Sequence, residues 1–333
     1  MRPRSGAIDA VRVLGIIAVV AGHVFENPVV RMALYSWHVP IFFFLTGYFW
    51  TAGRTLAMEF SKRSMTLLIP YVIWLVLIAA PFVASLILKG EFGIGEAMRL
   101  VLGGSYVGRP FSAFWFVTAL FVATLLFRLL ERVQKFYQWV IPVVALAVTY
   151  GYSESVAAIP FSAGVALPCL IFMLAGFTLK GHRELVRRPL MTGATMIFLA
   201  TLLILTRLSA PLDLKQADFG TPILSVLVAI LVSAGLVLVA ESLVPRLGLK
   251  TNAWATRIAL GGFMVILTHS FFIWILNFLA LDNWSVFAIS TALPWAAALL
   301  LLLTPISPLL LGVPTAKWRR TTPGVLSESP PMA

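Results

Sequence analysis

The sequence predicts an all-α polytopic membrane protein, a bundle of about ten transmembrane helices with both termini in the cytoplasm. Three observations predict it. Of 333 residues, 60% are hydrophobic and 11% charged, with a mean hydropathy of +0.96; a soluble domain carries roughly twice that charged fraction. Ten apolar segments reach or approach the ~20 residues that a helix needs to cross hydrocarbon. They fall at 8–26, 34–52, 64–88, 112–130, 138–152, 160–179, 189–207, 222–243, 258–281 and 284–311. The third observation is the placing of Lys and Arg in alternate loops.

With a cytoplasmic N-terminus, the inner segments hold 18 Lys and Arg residues and the outer loops hold 6: Arg31, Lys89, Arg99, Arg109, Arg207 and Lys215. Arg12 stands inside a span. The asymmetry holds loop by loop, as the positive-inside rule requires. It predicts a multi-pass protein of the cytoplasmic membrane.

The first segment is interrupted by Asp9 and Arg12 and is followed at once by further spans, so it reads as a retained helix and not as a cleaved leader. The fifth is the weakest, being short and carrying Pro142. The last holds Pro294, Pro305 and Pro308, and a kink or early end is expected there. One transmembrane domain is thus expected over 1–312, with a disordered cytoplasmic tail over 313–333.

A net charge of +12 raises the question of nucleic acid. The bases are scattered in short clusters between apolar runs, which is the pattern of cytoplasmic loops. No nucleic-acid partner is expected. The lone Cys169 lies in an apolar run and makes neither an intrachain disulfide nor a thiolate cluster.

The stretch "IDAVRVLGIIAVVAGHVFEN" carries Asp9, Arg12, His23 and Glu26 through what otherwise reads as a span. Ionisable groups in hydrocarbon are costly and are kept where they serve a function. Arg12 and His23 are eleven residues apart, three turns plus about 20°, so they share a helical face about 16 Å apart along the axis. Asp9, three residues before Arg12, can pair with it. Glu26, three residues after His23, is placed to orient the imidazole.

His38, opening the second span, and His269, in the ninth, reach the depth of His23. His182 belongs to a basic inner loop and reads as a surface residue. The three histidines lack a ligand spacing, and no metal is expected. A neutral imidazole accepting a proton fits better. Lys62 and Arg63 open the third span on the side of Arg12; with it they form a cationic group suited to phosphates or to plain interfacial anchoring. Trp115 opens the fourth span at the outer interface, where an aromatic belt is the default.

These residues resemble the membrane acyltransferase-3 family. "DAVRVLGIIAVVAGH" matches its Arg-x10-His pattern at Arg12 and His23. "WHVPIFFFLTGYFW" is similar to its second-span run, nearest to the fucose 4-O-acetylase-like branch, in which a histidine at the place of His38 is usual and Thr46 stands for a serine. "KRSMTLLIPYVIW", "FWFVTALF" and "ILTHSFFIW" follow in the family's order. The family's Arg-x-x-Arg before the third-span proline is broken here, because three places after Arg63 stands Thr66.

The resemblance implies transfer of an acyl group, commonly acetyl, from cytoplasmic acyl-CoA to a hydroxyl of a sugar, glycan, lipid-linked precursor or metabolite. It implies acyl-CoA (acetyl-CoA above all) as donor substrate, Arg12, Lys62 and Arg63 at its phosphates, and His23 as general base or transient acyl carrier. Glu26 would hold the tautomer of His23. His38 and His269 would orient the acceptor or steady the oxyanion, and Thr46 and Trp115 would contact substrate. The competing reading is a transporter or flippase whose path the buried charges line; no Gly/Pro-broken helices recur at matching places in two halves.

Overall fold

A computed structural model describes residues 6–313, and the chain is helical almost throughout. Among the described residues no strand forms, and Asp213 and Asp218 make an isolated antiparallel bridge. The expectations for Arg2, Arg4, Lys317, Arg319, Arg320 and the tail beyond Val313 lie outside the described residues.

Helix α1 (Gly6–Val24) carries Asp9 in its first turn, where a carboxylate complements the helix dipole. Asp9 also accepts from Arg12 at 2.9 Å, the pairing expected from their spacing. The second span starts six residues earlier than predicted, because Asn27 caps a helix that Pro28 opens. Its Oδ1 accepts from the Val30 N–H at 2.9 Å. That helix, α2 (Pro28–Tyr35), gives way to a turn over 36–39 and resumes as α3 (Pro40–Tyr48), since Pro40 has no N–H to carry the ladder through. His38 sits in that break.

Thr55 caps α4 (Leu56–Arg63), which passes through a π-helical turn, Ser64–Leu68, into α5 (Ile69–Lys89). Two features favour the wide turn: Pro70 cannot donate backwards, and the Thr66 hydroxyl bonds the Lys62 carbonyl at 2.9 Å. Lys62 and Arg63 therefore lie within a 34-residue apolar helix that begins at Leu56, and do not open it as the sequence suggested. Val72, Val76, Leu77 and Leu88 on α5 point out of the protein, as lipid-facing side chains would.

The surface helix α6 (Ile94–Leu102) leads to α7 (Phe114–Leu130), which is central, with Val117, Ala119 and Ala123 wholly buried. Next come α8 (Lys135–Gly151), α9 (Ser153–Ala157), α10 (Ala163–Ala166) and α11 (Leu170–Gly181); the Pro160–Ala166 stretch meets α11 at 51°. Helix α11 crosses α3 at backbone contact. A Cβ at Gly47 would collide with the Met173 carbonyl, and one at Gly176 with that of Phe44. After α12 (Pro189–Leu205), a loop over 206–223 precedes α13 (Leu224–Leu243), α14 (Leu249–Leu276), α15 (Asn283–Leu301) and α16 (Ser307–Leu311). Asp282 caps α15 by accepting from Trp284 and Ser285. As the prolines foretold, the last apolar segment breaks at 301.

Six helical stretches are long and apolar enough to cross a membrane, or seven with the bent pair counted as one span. The predicted segments at 112–130, 138–152 and 189–207 form helices of 17 residues each, about 26 Å long against ~30 Å of hydrocarbon. Apolar composition marked ten segments; length supports six or seven. Helix α1 lies inside the bundle, packed on α14, α13 and α15. That arrangement buries the face on which the site is built.

Candidate active site

His23 is in the last turn of α1, and its ring centroid lies 5.1 Å from that of His269 on α14, with the planes tilted by 42°. His269 is fully buried. Its Nδ1 is 2.9 Å from the Val265 carbonyl one turn back, and its Nε2 has no hydrogen-bond partner. His38 repeats the geometry, with Nδ1 2.8 Å from the Leu34 carbonyl and its ring 4.6 Å from that of Tyr35. A carbonyl only accepts, so both rings carry their hydrogen on Nδ1 when neutral and present a bare Nε2. Among the described residues, nothing hydrogen-bonds the His23 ring.

Two recesses meet at His23, the one residue common to their linings. The first, of about 150 Å³, is bounded by His38, Tyr35, Trp115, Asp213 and Lys215, with Phe42 and Phe116 on its apolar side. The second, of about 330 Å³, is polar and bounded by Glu26, Asn27, Arg109, Asn277 and Asn283. Trp115 is thus buried beside the imidazoles, beyond the interfacial belt that its place in the sequence suggested.

Loops close this end of the bundle. Arg109 donates to the His23 carbonyl at 2.7 Å and to Glu26 at 2.5 Å. The Glu26 carboxylate is therefore engaged by Arg109, and among the described residues no hydrogen bond joins it to the His23 ring. From the 206–223 loop, Lys215 reaches across to the Val107 carbonyl at 2.5 Å, and Asp213 accepts from Arg31 at 3.1 Å. Burial pushes the Lys215 ammonium below its usual pKa, a shift that the Asp213 carboxylate opposes.

Arg12 lies near the opposite end of α1, about 16 Å away along the axis. Its side chain is 31% exposed, and the guanidinium sits over the Phe49 ring at 4.9 Å. Phe42, at the His23 recess, lies near the start of α3, and Phe49 immediately follows its end, so Arg12 and His23 meet residues at opposite ends of that helix. Arg63 is 6.0 Å from the next ring, Trp50, and donates to Glu59 at 2.7 Å. The structure thus brings Arg12 and Arg63 onto consecutive aromatics, while Lys62 lies exposed on α4. Thr46 donates to the Phe42 carbonyl at 2.8 Å and borders neither recess.

The same end holds a buried ionic network that the sequence reading passed over. Arg128 donates to Glu59 at 2.8 Å, to the Thr51 carbonyl at 2.9 Å and to Glu131, and lies 4.2 Å over Trp50. Glu59 and Arg128 had a sequence signal: a carboxylate four residues before Arg63, and an arginine closing an apolar helix. Arg109, Asp213 and Lys215 had none, being ordinary loop residues until the fold carries them over α1. Among the described residues, no three of His, Cys, Asp and Glu are grouped to hold a metal ion.

No curated protein and no solved structure matches the chain. Residues 5–312, which include both ends of the Arg12–His23 face, the imidazole cluster and the ionic network, match the acyltransferase domain family known as acyltransferase-3. The chain belongs to that family, and it is a multi-pass membrane acyltransferase.

Proposed function

We propose that this protein is an O-acyltransferase that moves an acyl group, acetyl in the first instance, from cytoplasmic acyl-CoA to a hydroxyl of a sugar, glycan or related acceptor. The observation that carries the reading is the position of His23 at the junction of two recesses, beside two further imidazoles and on one helix face with Arg12. In this reading the protein lies in the cell membrane with its N-terminus inside, and the histidine end of the bundle faces outward. The second-span likeness to the fucose 4-O-acetylase-like branch supports a carbohydrate acceptor.

The donor's phosphates lie near Arg12, Lys62 and Arg63, and its pantetheine arm spans the roughly 16 Å to His23. His23 removes the acceptor's hydroxyl proton as the oxygen attacks the thioester carbonyl. The tetrahedral intermediate expels the thiolate, which takes the proton back from the imidazolium and leaves as free CoA. His38 presents a bare Nε2 in its neutral form, which suits accepting from an acceptor hydroxyl better than donating to an oxyanion. Trp115 offers an apolar face to a sugar ring. Glu26 and Arg109 act together as the brace at the end of α1.

The test is release of free CoA thiol from acetyl-CoA by membranes holding the protein, with and without hydroxyl acceptors. Acceptor-stimulated release that disappears in His23→Ala is the expected result. A His23→Ala protein with wild-type turnover removes the general base from this account.

A further inference from the structure

We propose that His269 is the positioning residue for His23: its Nε2 accepts the ring N–H of His23 and holds the other His23 nitrogen bare toward the acceptor hydroxyl. The catalytic meaning of this contact rests on the acyl-transfer reading above, whereas its geometry does not.

The rings are correctly spaced for it. Two imidazoles sharing an N–H···N bond of ~2.9 Å edge to edge have centroids about 5.2 Å apart, and here they are 5.1 Å apart. His269 cannot serve as the donor while neutral, since its one hydrogen is committed to Val265 at 2.9 Å. That leaves Nε2 as an acceptor, wholly buried and without a partner. A buried polar atom left so is uncommon and asks for an explanation. Among the described residues nothing hydrogen-bonds the His23 ring, and the proposed contact takes a turn of that ring about its Cβ–Cγ bond toward the unpartnered His269 Nε2.

The other neighbours are already committed. Glu26 is engaged by Arg109 at 2.5 Å. His38 has its hydrogen on the Leu34 carbonyl and its ring against Tyr35. The resulting relay runs from the Val265 carbonyl through His269 to His23, with the imidazole of His269 doing what a carboxylate does in a serine-hydrolase triad. A neutral orienting group has an advantage at membrane depth, because it fixes a tautomer without burying an anion. The acceptor's proton enters at the bare His23 nitrogen and leaves from there with the thiolate; the N–H held by His269 stays in place throughout.

The whole protein in lipid nanodiscs, labelled with 15N-histidine, provides a test independent of turnover, since the chain has four histidines. His23 should show one protonated and one bare nitrogen with well-separated shifts, collapsing toward an average in His269→Phe. Averaged His23 shifts in the wild type, or shifts unchanged in His269→Phe, overturn the proposal. In kinetics, His269→Phe should lower kcat on the order of 10²-fold with KM for acetyl-CoA within about twofold. His269→Gln, which keeps an acceptor oxygen, should recover at least tenfold of that loss. Turnover in His269→Phe within threefold of wild type also overturns the proposal. A wild type with the single tautomer but no thiol release instead strikes the acyl-transfer reading and leaves the positioning contact standing.

Discussion

Arg109 donates to the backbone carbonyl of His23 at 2.7 Å, tying the loop before α7 to the last turn of α1. The same nitrogen meets Glu26, so one guanidinium braces the helix end from which the imidazole projects. Such a brace matters because an ångström of misplacement at a reacting centre is expensive in rate.

The first prediction follows from that brace. Arg109→Ala should lower kcat on the order of tenfold with a smaller change in KM for the donor. Glu26→Gln should stay within about threefold of wild type, because the bond to the His23 carbonyl survives. Steady-state kinetics on the two variants checks this. A Glu26→Gln defect larger than that of Arg109→Ala would return Glu26 to the role of tautomer holder.

The second concerns the two ends of α1. Arg12→Ala should weaken CoA binding about tenfold, the worth of one charge-assisted contact. His23→Ala should abolish turnover and leave CoA affinity within about twofold. Titration calorimetry of CoA with each purified variant separates the effects, and unchanged affinity in Arg12→Ala takes that residue out of the donor site.

The third is about stability. Glu59 and Arg128, at 0% and 2% exposure, form a buried pair 2.8 Å apart. Arg128→Ala should cost about 3 kcal/mol, the low end for a broken buried pair, because Glu59 stays buried but keeps Arg63 at 2.7 Å and Arg54 at 3.5 Å. Adding Glu59→Gln should recover part of the loss, since a neutral amide is cheaper to bury. Unfolding in detergent provides the measurement; a loss below about 1 kcal/mol would mean that the network contributes little.

The fourth is a pH dependence. Burial lowers the Lys215 pKa in the folded protein, while an unfolded lysine titrates near 10.4. Between those values the unfolded chain binds more protons, so stability rises with pH across that window. The cost of burying the ammonium is fully present below the folded pKa and is gone above the unfolded one. Lys215→Met should therefore flatten the alkaline rise in Tm. Parallel Tm curves for wild type and Lys215→Met from neutral pH to about pH 11 would contradict it.

Much of the site was legible because it lies along single helices. The Arg12–His23 face, the Asp9–Arg12 pair and the depth of His269 follow from helical periodicity alone, and each reappears in the folded chain or its contacts. The second and third spans were misplaced at their starts because capping by Asn27 and Thr55 extends helices past the apolar runs that marked them. Trp115 was read as a belt residue since sequence cannot tell an interface from an interior.

What the chain determined by itself is the membrane class, the apolar segments and the one-helix geometry of Arg12 and His23, all properties of local composition and a fixed rise per residue. What tertiary structure decided is the company each charge keeps: His23 with His269, Glu26 with Arg109, Arg128 with Glu59. Those partners come from separate helices and loops, and packing, which depends on the fit of whole surfaces, brings them together.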